Sequence, residues 1–142
     1  RGRQKMQATA SILRLGRNQV DAAVRLLTLA VEHNFTQGRN MEDVCGSCLY
    51  IACRREKSAH MLLDFAECLQ RSIYSLGKTY LRLTRLLKLD LPLIDPSLYI
   101  HRFASRLEFG DKYHSVATTA LKLVSRMKRD WMTVGRKPSG IC

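Results

Sequence analysis

Two short stretches decide the fold: Thr36-Gln37-Gly38-Arg39 and Thr133-Val134-Gly135-Arg136, whose glycines stand 97 residues apart. Held without a gap, that offset pairs Val20 with Ala117, Ala23 with Ala120, Leu26 with Leu123, Leu27 with Val124 and Ala30 with Met127, and further on Val44 with Ile141 and Cys45 with Cys142. An apolar stripe and the turn after it recur together, which marks an internal repeat of one supersecondary unit. Residues 1–88 then read as one five-helix repeat. Residues 89–94 read as a linker, and residues 95–142 as the start of a second repeat holding two helices and the first residues of a third.

Helical punctuation supports this division. A first helix is expected from about Arg3 to Leu15, stopping at Gly16, which suits the left-handed position after a helix. A second begins at Asn18 with Asp21 three residues on, and aligns Val20, Ala23, Val24, Leu27, Ala30 and Val31. A third starts at Asn40, with Asp43 three residues later, and buries Val44, Cys45, Cys48, Ile51 and Ala52. A short fourth carries Leu62, Leu63, Phe65, Ala66 and Leu69. The turn Gln70-Arg71-Ser72 leads to a fifth with the stripe Leu76, Tyr80, Leu83 and Leu87. Pro92 and Pro96 stiffen the connector. Beyond Asp95-Pro96, a cap-and-first-turn pair, one helix should bury Leu98, Ile100, Phe103, Ala104 and Leu107 and end at Gly110. The next, from about Asp111, aligns Val116, Ala117, Ala120, Val124, Met127 and Trp131. No segment alternates apolar and polar residues as a strand would, so the class is all-α.

Composition bounds the chemistry. The 142 residues are 46% hydrophobic, with 24 Lys and Arg against 12 Asp and Glu and a net charge of +12. That is the balance of a globular chain, not of a disordered one. There is no apolar run long enough for a bilayer span and no secretory signal, so a soluble intracellular protein is expected, and the ends read as those of a fragment of something longer. Five cysteines cannot all pair, and Cys45, Cys48 and Cys53 lie inside an apolar helical pattern, which reads as core rather than as metal or redox ligands. His33, His60, His101 and His114 are scattered, with no nucleophile and carboxylate at motif spacing. No phosphate-binding Gly-rich loop is present, so no enzyme and no small-molecule substrate are expected.

The surplus charge is patterned. On the fifth helix Lys78, Arg82 and Arg85 oppose Leu76, Tyr80, Leu83 and Leu87, and no acidic residue lies between Arg71 and Lys88. On the last long helix Lys122, Arg126 and Arg129 oppose Ala120, Val124, Met127 and Trp131. Arg54, Arg55 and Lys57 add charge where the third helix ends. Arg39, Arg71, Arg136 and Lys137 complete the set of candidate contacts to nucleic acid or to an acidic partner. Charge alone does not choose between those two. The turn between the fourth and fifth helices has the spacing of a helix-turn-helix, whose second helix could enter a major groove, and ordinary helical hairpins share that spacing. Gly46 and Gly77, inside helices, suggest close helix crossings.

The repeat, with a Gly-Arg turn before the central helix of each copy, resembles the cyclin-fold core of transcription factor IIB. Longer stretches sharpen the likeness: His60-Met61-Leu62-Leu63-Asp64-Phe65, Tyr74-Ser75-Leu76-Gly77-Lys78-Thr79-Tyr80, Asp95-Pro96-Ser97-Leu98-Tyr99-Ile100, and Met127-Lys128-Arg129-Asp130-Trp131-Met132 running on to Gly135-Arg136-Lys137-Pro138-Ser139-Gly140. These are similar to the TFIIB-related factors of the RNA polymerase III initiation factor TFIIIB. The resemblance implies a nuclear, non-enzymatic initiation factor joining TATA-binding protein and promoter DNA to RNA polymerase III, with other TFIIIB subunits as partners and no membrane. It also makes duplex DNA the leading ligand of the first repeat. The family's zinc ribbon would precede this fragment, within which no cofactor is expected. General factor IIB or an archaeal-type factor serving another polymerase, and a cyclin-like kinase-regulating module, are the alternatives.

Overall fold

The computed structural model describes residues 2–142; Arg1, where the first repeat was expected to begin, lies outside them. The chain divides into two compact units, Arg1–Pro92 and Leu93–Cys142. The described residues contain helices and turns but no strand.

The first unit holds α1 (Gly2–Ile12), α2 (Arg17–Glu32), α3 (Met41–Arg55), α4 (Leu62–Cys68) and α5 (Ile73–Leu86). Every residue from Asp43 to Cys53 is buried, because α3 runs through the middle and packs against each of the other four helices. This is the five-helix arrangement expected of a cyclin-like repeat. Its core includes Met6, Leu26, Phe35, Leu49, Ile51, Phe65, Leu76 and Leu83. A Cβ on Gly46 would lie 2.6 Å from Leu69 Cδ1 and 3.0 Å from Leu76 Cδ1, so a bare backbone is needed where α3 meets these side chains. At Gly77 the nearest atom would be Leu62 Cδ2 at 3.6 Å, an ordinary contact, so no close crossing explains that glycine. Leu89 and Leu91 also pack on this core, so the first residues of the expected linker fold with the first unit.

The second unit holds α6 (Ser97–Arg106), a single 3-10 turn at Gly110–Lys112, α7 (Tyr113–Arg129) and α8 (Pro138–Ile141). Ile100, Ala117 and Val124 form its small core, with Ala120, Leu121 and Ile141 against them.

The 97-residue offset holds in the backbone itself. Asn34 and Trp131 are left-handed at φ 55° and 59°, and Gly38 and Gly135 at φ 69° and 74°. The chain reverses after α2 through Phe35 N to Ala30 O (2.8 Å) and after α7 through Met132 N to Met127 O (2.9 Å), the six-to-one bond that closes a helix C-terminus. Asn40 caps α3 at φ −68°, ψ 127°, and Lys137 stands before α8 at φ −66°, ψ 130°.

Several boundaries differ from the sequence expectation. Gly16 does not end α1. Arg14 takes the left-handed position at φ 53°, and Gly16 is extended as the N-cap of α2, its N–H donating to Gln19 Oε1 at 3.1 Å. Asn18 is therefore inside α2, because the Gln19 amide reaches back to supply the cap. Helix α6 stops at Arg106, with Glu108 left-handed at φ 52°, before Gly110 is reached. Leu107 and Trp131, both expected in the core, are exposed, since each lies just past a helix end where the chain turns away.

Candidate functional site

The basic residues sort into two groups. Arg54 is half-buried: one terminal nitrogen donates to the Tyr80 hydroxyl (2.9 Å) and the other to Pro92 O (2.7 Å), tying α3 to α5 and to the segment after it. Arg71 forks onto a buried carboxylate, Nε to Asp43 Oδ1 at 2.9 Å and Nη2 to Asp43 Oδ2 at 3.0 Å, while Ser75 Oγ donates to the same Oδ2 at 2.7 Å. Arg39 lies over the Phe35 ring, 4.1 Å from its centroid, and donates to Phe35 O. These three guanidinium groups each have an intramolecular partner.

The bidentate bond from Arg71 holds the Asp43 carboxyl below the usual carboxylate range, against burial, which pushes the other way. Ser47 Oγ donates to Asp43 O at 2.7 Å, so the first turn of α3 and the turn before α5 are locked together. By spacing alone Asp43 has the pattern of a capping residue, and nothing in that spacing shows that Arg71 reaches it.

The remaining candidates, Arg55, Lys57, Lys78, Arg82, Arg85, Lys122, Arg126, Arg129, Arg136 and Lys137, are all exposed. On α5, Lys78, Arg82 and Arg85 share a stripe with Tyr74 and Leu81, which are 80% and 50% exposed; the inner stripe of that helix buries Leu76, Thr79 and Leu83. Tyr74 and Leu81 were absent from the predicted site, although the same helical spacing places them there. On α7, Lys122, Arg126 and Arg129 share their stripe with Ser115, Thr118 and Ser125, all exposed, with Leu123, 54% exposed, along its edge. Hydroxyls and long cations are the side chains that hold phosphate oxygens.

Cys45, Cys48 and Cys53 behave as core. Burial raises the thiol pKa of Cys45, Cys48 and Cys53, the last to about 12, so none is a thiolate near neutral pH. His60 sits against Leu13 O at 3.0 Å and stacks near Phe65, a structural role. Among the described residues, no three His, Cys, Asp or Glu side chains converge as metal ligands, and no helix is long and apolar enough to cross a membrane.

The family model described as the transcription factor TFIIB repeat matches residues 1–86 and again 89–142. Over 99% of its length the chain is 53% identical to the transcription factor IIIB 60 kDa subunit of Schizosaccharomyces pombe, covering 29% of that protein. Over the same share it is 49% identical to the human transcription factor IIIB 90 kDa subunit, covering 21%. It is 28% identical, over 96% of its length, to the transcription initiation factor IIB of Saccharolobus shibatae, covering 44%. The chain thus spans less than a third of these two IIIB subunits.

Proposed function

This chain belongs to the transcription factor TFIIB repeat family, and from that membership we propose that it is the core of a general transcription initiation factor, bridging TATA-binding protein and promoter DNA to RNA polymerase III. The higher identity to the IIIB subunits than to the archaeal factor IIB supports polymerase III over another polymerase. The observation that carries the bridging role is the pair of outward-facing cationic stripes, one on α5 and one on α7. In this reading the α7 stripe tracks phosphates, with Lys122, Arg126 and Arg129 as point contacts and the hydroxyls of Ser115, Thr118 and Ser125 between them. The protein acts in the nucleus by binding, without catalysis, and alongside other TFIIIB subunits.

A gel shift on a preformed complex of TATA-binding protein and promoter duplex tests this. Binding should fall steeply with salt, and replacing Lys122, Arg126 and Arg129 with Gln should flatten the plot of log affinity against log salt by roughly 0.9 for each phosphate left without its cation. The variants should melt as the native chain does, because surface substitutions change stability by about 0.5 kcal/mol or less. No shifted complex, or a shift insensitive to salt, defeats the DNA half of the reading.

A further inference from the structure

Residues 89–94 separate the two repeats in the sequence, and most of them are fastened down. After α5 the chain turns at Lys88, left-handed at φ 47°, and Leu89 N donates to Thr84 O at 3.0 Å. Leu87, Leu89 and Leu91 then pack against the first core while Lys88 and Asp90 between them are exposed, an alternation that lays one side of the segment on the apolar surface. At its far end Pro92 O accepts from Arg54 Nη2 at 2.7 Å. That guanidinium is itself held, by the Tyr80 hydroxyl at 2.9 Å and over the Tyr50 ring, 6.0 Å from its centroid. Asp95 is already fixed in the second unit, where Oδ1 accepts from Ser97 N at 2.9 Å and Oδ2 pairs with Lys128 at 2.7 Å. Leu93 and Ile94 alone are left between these two anchorages. Neither packs in either core, and Leu93 is 95% exposed.

We propose that residues 88–92 form a strap latched to the first repeat by Arg54, so that the joint between the repeats is Leu93 and Ile94 rather than the whole of 89–94. The consequence for binding rests on the bridging function above. A factor that holds one duplex complex with cations of both repeats makes its second set of contacts at an effective concentration set by the joint, falling as about the −3/2 power of its length. Arg54 is then a positioning residue, which acts through the length of the joint and touches no ligand. A methionine at this place would keep the aliphatic stem but could hold neither the hydroxyl nor the carbonyl, and would let Leu91 and Pro92 join the free segment.

The test uses the 142-residue chain and two variants, Arg54→Met and a Gly-Gly insertion after Ile94 that lengthens the joint with the latch intact. Nitrogen-15 relaxation reads the strap directly. In the native chain the Leu91 amide should have an order parameter of about 0.85, like the helices, and Leu93 one below about 0.6. In Arg54→Met the Leu91 value should fall below about 0.6 while α3 and α5 keep theirs. A Leu91 amide already mobile in the native chain, or equally rigid in the variant, overturns the strap, and a rigid Leu93 overturns the joint. Binding to a promoter duplex carrying TATA-binding protein reads the consequence. Each variant doubles the joint and should weaken binding about threefold, with thermal melts alongside to confirm folding. Native affinity in both variants overturns the positioning role. So does a loss of about tenfold or more confined to Arg54→Met, which would make the guanidinium a direct contact to the complex. If the native chain does not bind the duplex complex, the bridging function falls, and the order parameters still decide the strap.

Discussion

Leu26 and Leu123 occupy equivalent places in the two units, yet the first is 4% exposed and the second 54%; Phe35 and Met132 differ in the same way, at 5% and 50%. The backbone around them is the same in both copies, down to the left-handed residues at 34 and 131 and the turn glycines at 38 and 135. Local conformation is therefore set by local signals, while burial depends on what covers the helix. In the first unit the fifteen-residue α3, with α4 and α5 behind it, closes the core. In the second, the four-residue α8 stands at the place of α3, and only Ile141 reaches inward, as Val44 does in the first.

The widest expected difference is in local stability. Amides of α7 should exchange on the order of a hundredfold faster than those of α3, because few buried contacts must break to open them. Native-state hydrogen exchange reads this directly, and equal protection in the two helices would break the comparison. Next in size is truncation of the central helix. Leu49→Ala, at a fully buried position, should cost the first unit about 2–5 kcal/mol, and Val124→Ala in the second less than half as much, both measured by denaturant titration.

The ion pairs sharpen the contrast. Asp43 has Gly140 at its place in the second copy, so the clamp on α3 has no counterpart there. The second unit instead pairs Lys128 with Asp95 at 2.7 Å, both side chains well exposed. Asp43→Asn should cost about 1–3 kcal/mol, less than a fully buried pair because Arg71 keeps part of its solvent contact. Its carboxyl titrates lower folded than unfolded, so the stabilisation is complete above the ordinary Asp pKa and disappears as the pH drops through the depressed folded value. Acid unfolding of the Asn variant should lose that component. At Asp95 burial pushes the carboxyl up but the bonds from Lys128 and Ser97 outweigh it, leaving a pKa below the usual one. An exposed pair of this kind contributes about 0–1 kcal/mol, and Lys128→Gln should barely move the melt.

The smallest effect concerns the left-handed residue. Trp131 is 79% exposed at φ 59°, where the first unit has Asn34. Trp131→Asn should raise the stability of the second unit by about 0.5–1 kcal/mol, because Asn tolerates that conformation and the exposed indole gives up little packing. A destabilised variant would show that the indole does more than follow the turn.

Much of this was legible in the residues. The 97-residue offset, the inner stripe of α5, the Asn40 cap and the core cysteines all follow from spacing, because helical periodicity and turn chemistry are local; on α2 the expected stripe included Val31, which is 51% exposed, and left out Leu26, which is buried. What could not be read depends on choices among several satisfactory local solutions or on distant partners. Gly16 and Asn18 both make good caps, and the Gln19 side chain decides between them. Arg54 and Arg71 look like any surface cation until Tyr80, Pro92 and Asp43 come within reach. The apolar pattern placed Leu107 and Trp131 inside, because periodicity continues in the sequence after the helix has stopped in space.

The buried thiols of α3 give the molecule a built-in clock. Cys142 is exposed and Cys68 partly so, and an alkylating reagent should reach both without unfolding, whereas Cys48 and Cys53 can react only in molecules whose central helix has opened. Their alkylation rate, counted by mass, therefore times the rarest opening of the first unit at neutral pH, with no denaturant present.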